Sequence, residues 1–242
     1  MVLLLSVGCV GGCSAAMLLF GLARHYYTEL NAAKLDPLDL RRFGVPAPQD
    51  ELTLVFYGDS RAAQWPAPSW LEGQTLNLGI AGQTTEQILE RFDHHLAGLH
   101  PRFVLLQAGI NDLKTIPLFP DNEQKIIDNC KDNLGQLVER SRQLGAHVVI
   151  TTIFPLGRVP LARRLIWSDR VAPAVASVNR YIESLASDHV TVMDSGDVLA
   201  DTTGIIHARY SRDFLHLSAE GYRQLDNSLH ACLQPLISGL TR

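Results

Sequence analysis

Leu52-Thr53-Leu54-Val55-Phe56-Tyr57-Gly58-Asp59-Ser60 sets a short apolar run against a glycine, an acid and a hydroxyl. A run this short, ended by a glycine-led turn, predicts a buried strand over residues 52–57 whose carboxyl end delivers Asp59 and Ser60 to a loop. Residues 75–78, 103–107, 147–151 and 190–193 repeat the pattern and are also read as buried strands. Between them the spacing becomes helical. Thr84-Thr85-Glu86-Gln87 forms a capping box ahead of Ile88, Leu89, Phe92 and Leu96. Asp121 is expected to cap a helix with Ile126, Ile127, Cys130, Leu134, Leu137 and Val138 on one face, stopping at Gly145. Further helices are expected over residues 171–186 and 218–233. Strands alternating with helices predict an α/β protein with about five parallel strands and helices on both faces of the sheet, one domain spanning residues 51–242. In such sheets ligands bind beyond the carboxyl ends of the strands.

Composition narrows the function. The chain has 242 residues, 46% of them hydrophobic and 19% charged, enough to bury a sizeable core. A net charge of −4 leaves no basic field for phosphate backbones, so no nucleic-acid partner is expected. Cys9, Cys13, Cys130 and Cys232 have no zinc-ligand spacing and are read as free thiols. His94, His95 and His100 form a cluster expected to face solvent; no carboxylate or cysteine stands at ligand spacing, so no metal is expected there.

Residues 2–23 lack a formal charge and are followed by Arg24 and His25. That length suffices to cross a bilayer as one helix, so residues 1–24 are read as a membrane anchor, with a signal peptide ending near Gly21-Leu22-Ala23 as the rival. Val10-Gly11-Gly12-Cys13 resembles a lipoprotein cleavage box, but the residues after it are apolar where a polar tether is usual. Residues 25–50, with Pro37, Gly44, Pro46 and Pro48, are read as a linker. Arg24, Lys34, Arg41 and Arg42 follow the span, and the positive-inside rule would hold that side in the cytoplasm.

Three loops should reach one sheet edge: Gly58-Asp59-Ser60, then Gly79-Ile80-Ala81-Gly82-Gln83-Thr84, then Gly109-Ile110-Asn111-Asp112. Asp213-Phe214-Leu215-His216 adds an imidazole and a carboxylate before the last helix, so nucleophile, base, orienting acid and oxyanion donors can converge. These blocks, in order from Tyr57 to Tyr222, resemble the GDSL, or SGNH, hydrolase family. The resemblance implies a flavodoxin-like α/β/α sandwich with Ser60 as nucleophile, His216 as base and Asp213 as its partner. It also implies an oxyanion hole from Ser60, Gly82 and Asn111, and no metal or cofactor. Arg61 stands where the family's name has leucine and puts a cation beside the nucleophile, with consequences expected for substrate choice. Asp59, Asp112 and Asn179 are expected to hold backbone, and His207 to be a satisfied loop histidine.

Residues 154–170 mix Phe154, Leu156, Val159, Leu161, Leu165, Ile166 and Trp167 with Arg158, Arg163, Arg164 and Arg170. They read either as a short helix packed on the sheet, or as a lid for an acyl chain or a face toward anionic lipid or polysaccharide. The function expected is a serine esterase acting on a small-molecule, lipid or polysaccharide ester through an acyl-enzyme. The alternatives are an O-acyltransferase using the same intermediate and a non-catalytic ligand-binding module of the same fold. Tethered family members resemble exported envelope enzymes, so the catalytic domain is expected outside the cytoplasm, against the charge rule.

Overall fold

The computed structural model describes residues 2–40, 44, 52–164 and 167–238, with side chains from Ser14 onward, Ala15 excepted. The chain divides into two units, residues 1–45 and 46–242. Among the described residues the first unit carries the long helix α1 (Val2–Leu35). It runs well into the stretch read as linker, because no glycine or proline interrupts residues 24–35 and Pro37 is the first residue that cannot continue it. Among the described residues no helix is long and apolar enough to cross a membrane. Most side chains of the apolar run 2–23, including Cys9 and Cys13, lie outside the described residues, as does most of the expected linker beyond residue 40.

The second unit is built on a five-stranded sheet, β1 (Leu52–Gly58), β2 (Gln74–Gly79), β3 (Phe103–Gln107), β4 (His147–Thr151) and β5 (Val190–Met193). Every pairing is parallel and the order is β2-β1-β3-β4-β5. This is the flavodoxin-like order, with its switch point between β1 and β3. Side chains of β1 alternate between two cores. Val55 and Tyr57 join Ile88, Phe92, Leu134, Leu137 and Val178, whereas Leu54 and Phe56 join Trp65, Leu225, Leu229 and Leu233. Helices therefore cover both faces, giving three layers. On the first face lie α3 (Thr85–Glu90), α4 (Phe92–Leu96), α6 (Glu123–Gln143) and α7 (Val171–Glu183); on the second lie α8 (Ser195–Leu199) and α9 (Ala219–Ser238). The short helices α2 (Ser60–Ala63) and α5 (Ile110–Leu113) follow β1 and β3.

The strands match the sequence reading except in burial. β2 and β5 are the two edge strands, β2 with exposed and half-buried positions along most of its length and β5 half-buried at Thr191 and Val192, because among the described residues no strand pairs with their outer sides. Thr84 caps α3 through the expected capping box. Asp121 does not cap α6: it lies within a 3₁₀ turn at Pro120–Asn122, and Asn122 is the cap residue, with no side-chain bond. Pro120 fixes the turn that displaces the cap by one residue. Residues 154–170 do not form a packed helix; a single 3₁₀ turn at Leu161–Arg163 is their regular element among the described residues, and Leu165 and Ile166 lie outside those.

Candidate active site

The site begins with the register of the sheet. Gly58 pairs with Gly79 on one side and Gln107 on the other, so the loops after β1, β2 and β3 leave the sheet at one level. Two bonds extend that level: the Asp59 N–H donates to Gln107 O at 3.1 Å and the Ile80 N–H to Gly58 O at 3.0 Å. No other residue fits at Gly58, since a Cβ there would lie 1.9 Å from Gln107 O. Asp59 then caps α2, its Oδ1 accepting the Arg61 N–H at 2.9 Å, which fixes Ser60 at the first position of that helix. Burial pushes the Asp59 carboxyl up to about 6, against the pull of the Arg61 cation.

Ser60 Oγ lies 3.1 Å from His216 Nε2, and His216 Nδ1 lies 2.9 Å from Asp213 Oδ2. A carboxylate accepts only, so Nδ1 carries the ring proton and Nε2 is left to accept from the serine hydroxyl. Asp213 also folds its own loop, Oδ1 accepting the N–H of Leu215 at 2.8 Å and of His216 at 2.9 Å. Its partial burial works to raise its pKa but is outweighed by the bonds from the Leu215 N–H and from His216, so the carboxyl sits below its ordinary value.

Arg61 departs from expectation. Its side chain is buried rather than facing a substrate; Nε donates to Leu215 O at 2.9 Å and the guanidinium lies 5.0 Å over the Phe154 ring. Tyr222 Oη donates to Arg61 O at 2.9 Å. The residue after Ser60 thus ties the serine turn to the loop that carries His216, and does so through carbonyls that only tertiary folding places nearby.

Gly82 occupies an exposed turn at φ +83°, the left-handed region that suits glycine. Asn111 is buried on α5, and its Nδ2 donates to Gln83 O at 2.9 Å while Lys114 Nζ donates to its Oδ1 at 2.5 Å. Both contacts fix which way the amide faces. Burial pushes the Lys114 ammonium below its ordinary value, opposed by Asp59. Gln83 is anchored in turn by Arg91, whose Nε donates to Gln83 Oε1 at 2.5 Å and whose second terminal nitrogen donates to Gly58 O at 3.0 Å. Arg91 is fully buried, stacked 4.3 Å over Tyr57, and donates to His95 Nδ1 at 2.8 Å.

Sequence reading missed Arg91, Gln83 and Lys114, and it placed His95 in solvent, where the structure leaves it 2% exposed. A signal existed: Ile88, Arg91 and His95 recur at helical spacing and share the inner face with Phe92. Asp112 and Asn179 behave as expected. Asp112 accepts the Thr85 N–H at 2.9 Å and its hydroxyl at 2.6 Å, and burial pushes its carboxyl up to about 6 in spite of them. Asn179 pairs with both the N–H and the carbonyl of Ile153, and the His207 ring stands edge-on to Tyr210. Cys130 is buried and Cys232 half-buried, both as free thiols. Among the described residues no group of three or more His, Cys, Asp or Glu side chains could hold a metal ion.

A serine hydroxyl, an imidazole and a carboxylate in series, set at the carboxyl edge of a parallel α/β/α sheet, define the serine-hydrolase class of site. Residues 50–224 match the GDSL-like lipase/acylhydrolase family, and the chain belongs to it. It is an ester-bond hydrolase. Platelet-activating factor acetylhydrolase IB subunit alpha1 of Bos taurus is 28% identical over 207 residues, covering 81% of this chain and 82% of the relative. The alpha2 subunit of Homo sapiens is 26% identical over 206 residues, with the same coverage. Among solved structures, a GDSL-like lipase from Bacteroides thetaiotaomicron superposes with a TM-score of 0.61 at 20% identity, covering 88% of this chain and 97% of the other. An acetylxylan esterase from Geobacillus stearothermophilus gives 0.54 at 18% identity, covering 76% and 94%. These two likenesses concern the fold.

Proposed function

We propose that the protein is a membrane-tethered serine esterase that removes a short acyl group, acetyl first, from a lipid or polysaccharide ester. The observation that carries the proposal is the unbroken series Ser60 Oγ to His216 Nε2 at 3.1 Å and His216 Nδ1 to Asp213 at 2.9 Å. Ser60 Oγ attacks the ester carbonyl carbon while its proton passes to Nε2, and the carbonyl oxygen becomes an oxyanion received by the N–H groups of Ser60 and Gly82 and the Asn111 amide. Collapse expels the alcohol, which takes the proton from Nε2 and leaves acyl-Ser60. Water repeats the sequence and releases the acid. The acetyl preference draws on curated relatives named as acetylhydrolases and on the acetylxylan esterase neighbour.

The tether draws on residues 2–23 and on α1 itself: Met17, Leu18, Leu19 and Phe20 are successive residues, each at least 66% exposed, so this turn of the helix is apolar all round. We place the catalytic domain on the extracytoplasmic side. A reporter active on one side only, fused at Arg242, tests that placement, and activity confined to a cytoplasmic reporter overturns it. The reaction is tested with a fluorophosphonate probe and an ester panel from acetyl to palmitoyl. Ser60→Ala should lose both labelling and turnover, and acetyl esters should give the highest kcat/KM. Free acid should accumulate even when a sugar acceptor is supplied. Retained turnover in Ser60→Ala refutes the nucleophile; acylated acceptor in place of free acid makes the protein a transferase.

A further inference from the structure

Beside the Ser–His–Asp series, and not lined by Ser60, Gly82, Asn111 or His216, lies a pocket of about 580 Å³. That volume falls in the range of pockets that hold small ligands, roughly 300–1,000 Å³. Its walls come from the segment after β4, from α7 and from the turn after α8, with Ile153, Leu156, Val159, Trp167, Val175 and Ile205 supplying apolar surface. Val159, Trp167 and Asp169 also line a second depression, where Arg158 and Arg164 join them. The two hollows therefore adjoin along a shared wall, one the apolar end and the other the cationic end of a single candidate site. Neither arginine is in an ion pair among the described residues, and Asp169 is the one acid in the cationic end, so that end keeps a net positive charge in a chain whose total is −4.

The geometry points to a binding site for a single-chain amphiphile with an anionic head, its alkyl tail in the apolar pocket and its carboxylate or phosphate against Arg158 and Arg164. A guanidinium pairs with either head through two parallel N–H bonds, and an alkyl tail of moderate length matches an apolar pocket of this volume. The site goes beyond the ester-cleaving reaction, since nothing in it uses the serine. It is nonetheless close to the catalytic loop: the Trp167 ring stands edge-on to Phe214 at 5.2 Å, and Gly157 N–H donates to Phe214 O at 2.9 Å, two residues from His216.

The test uses the full-length Ser60→Ala protein, so that the probe cannot be turned over and the outcome does not depend on the esterase reading. A dodecanoate with a diazirine at the far end of its chain is photo-crosslinked and the modified peptides are mapped. Crosslinks are expected within residues 153–159, 171–176 or 203–205. Unlabelled dodecanoate should compete, and potency should fall about fourfold per methylene removed in decanoate and octanoate. Dodecyltrimethylammonium should compete at least tenfold less well. Dodecyl phosphate that outcompetes dodecanoate identifies the head as a phosphate, and the reverse identifies a carboxylate; both keep the site. Ala176→Trp fills the pocket from an exposed helix position and should remove the crosslink; the same change made with Ser60 intact should leave hydrolysis of a small ester in place, which shows that the domain is folded. Arg158→Gln with Arg164→Gln should weaken dodecanoate but not dodecanol. Equal competition by the cationic amphiphile, or crosslinks that persist in Ala176→Trp, overturns the assignment.

Discussion

Replacing Asp213 by asparagine separates the two things its carboxylate does. The amide keeps Oδ1, so the bonds from the Leu215 and His216 N–H groups, at 2.8 and 2.9 Å, survive and the loop stays folded. What changes is one of the two atoms that face Nδ1: Oδ2, at 2.9 Å, becomes an NH₂, while Oδ1, at 3.0 Å, stays an acceptor. An amide NH₂ in that place donates only to a bare Nδ1, which shifts the balance toward the tautomer with the ring proton on Nε2. Nε2 then points a hydrogen at Ser60 Oγ and cannot take its proton. In a fully buried triad this substitution costs about 10⁴ in kcat. Oδ1 stays 3.0 Å from Nδ1 and Asp213 is 44% exposed on its side chain, so Oδ1 or water can accept from Nδ1 and restore part of the correct tautomer. The expected loss is therefore about 10² to 10³ in kcat, or roughly 3–4 kcal/mol of transition-state stabilisation, with KM and Tm little changed. Steady-state kinetics on a soluble acetyl ester, with the fluorophosphonate labelling rate, measure it. An asparagine variant within threefold of the parent in kcat refutes the tautomer argument, and one that loses kcat and Tm together assigns the effect to the loop instead.

Asn111→Ala should lower kcat by about 10² to 10³ with KM held, because the amide's bond strengthens only as the oxyanion forms; Lys114→Met should lose a smaller part of the same term, and a rise in KM at constant kcat would make Asn111 a ground-state contact. Arg61→Leu, which restores the residue of the family's name, should lower both Tm and kcat, because Leu215 O loses its donor and the His216 loop its tie to the serine turn; unchanged kcat with lower Tm would confine Arg61 to stability. Asp112 is raised to about 6, so its protonated form is favoured in the fold, and its contribution to stability is full below pH 4 and lost as pH rises through 6. Relative to the parent, Asp112→Asn should gain up to about 3 kcal/mol between pH 4 and pH 7 in urea unfolding, and a difference independent of pH would refute the burial argument.

The sheet was legible because three of its strands are buried on both faces and read as unbroken apolar runs. The positions of Ser60, Asn111, Asp213 and His216 were legible because each follows a strand or precedes a helix in a recognisable block. The charged residues behind them were not. Arg61 and Arg91 are buried against carbonyls and aromatic rings, and a composition-based reading sends arginine to solvent. The groups that satisfy them, Leu215 O for Arg61 and Gly58 O for Arg91, become available only once strands and loops distant in sequence are brought together. The true cap of α6 was hidden for a local reason, the turn imposed by Pro120.

The level at which Gly58, Gly79 and Gln107 pair has a thermal consequence. Ser60 hangs from β1, which has a neighbour on each side, whereas Gly82 hangs from β2, which has one and is partly open to water. Edge strands open before central ones, so warming should release the Gly82 turn while the serine, imidazole and carboxylate are still held together. Turnover would then fail at temperatures where the amides of β1 and β3 still resist hydrogen exchange. The upper working temperature should then follow the opening of β2, and bracing that edge strand should raise it without touching a reacting group.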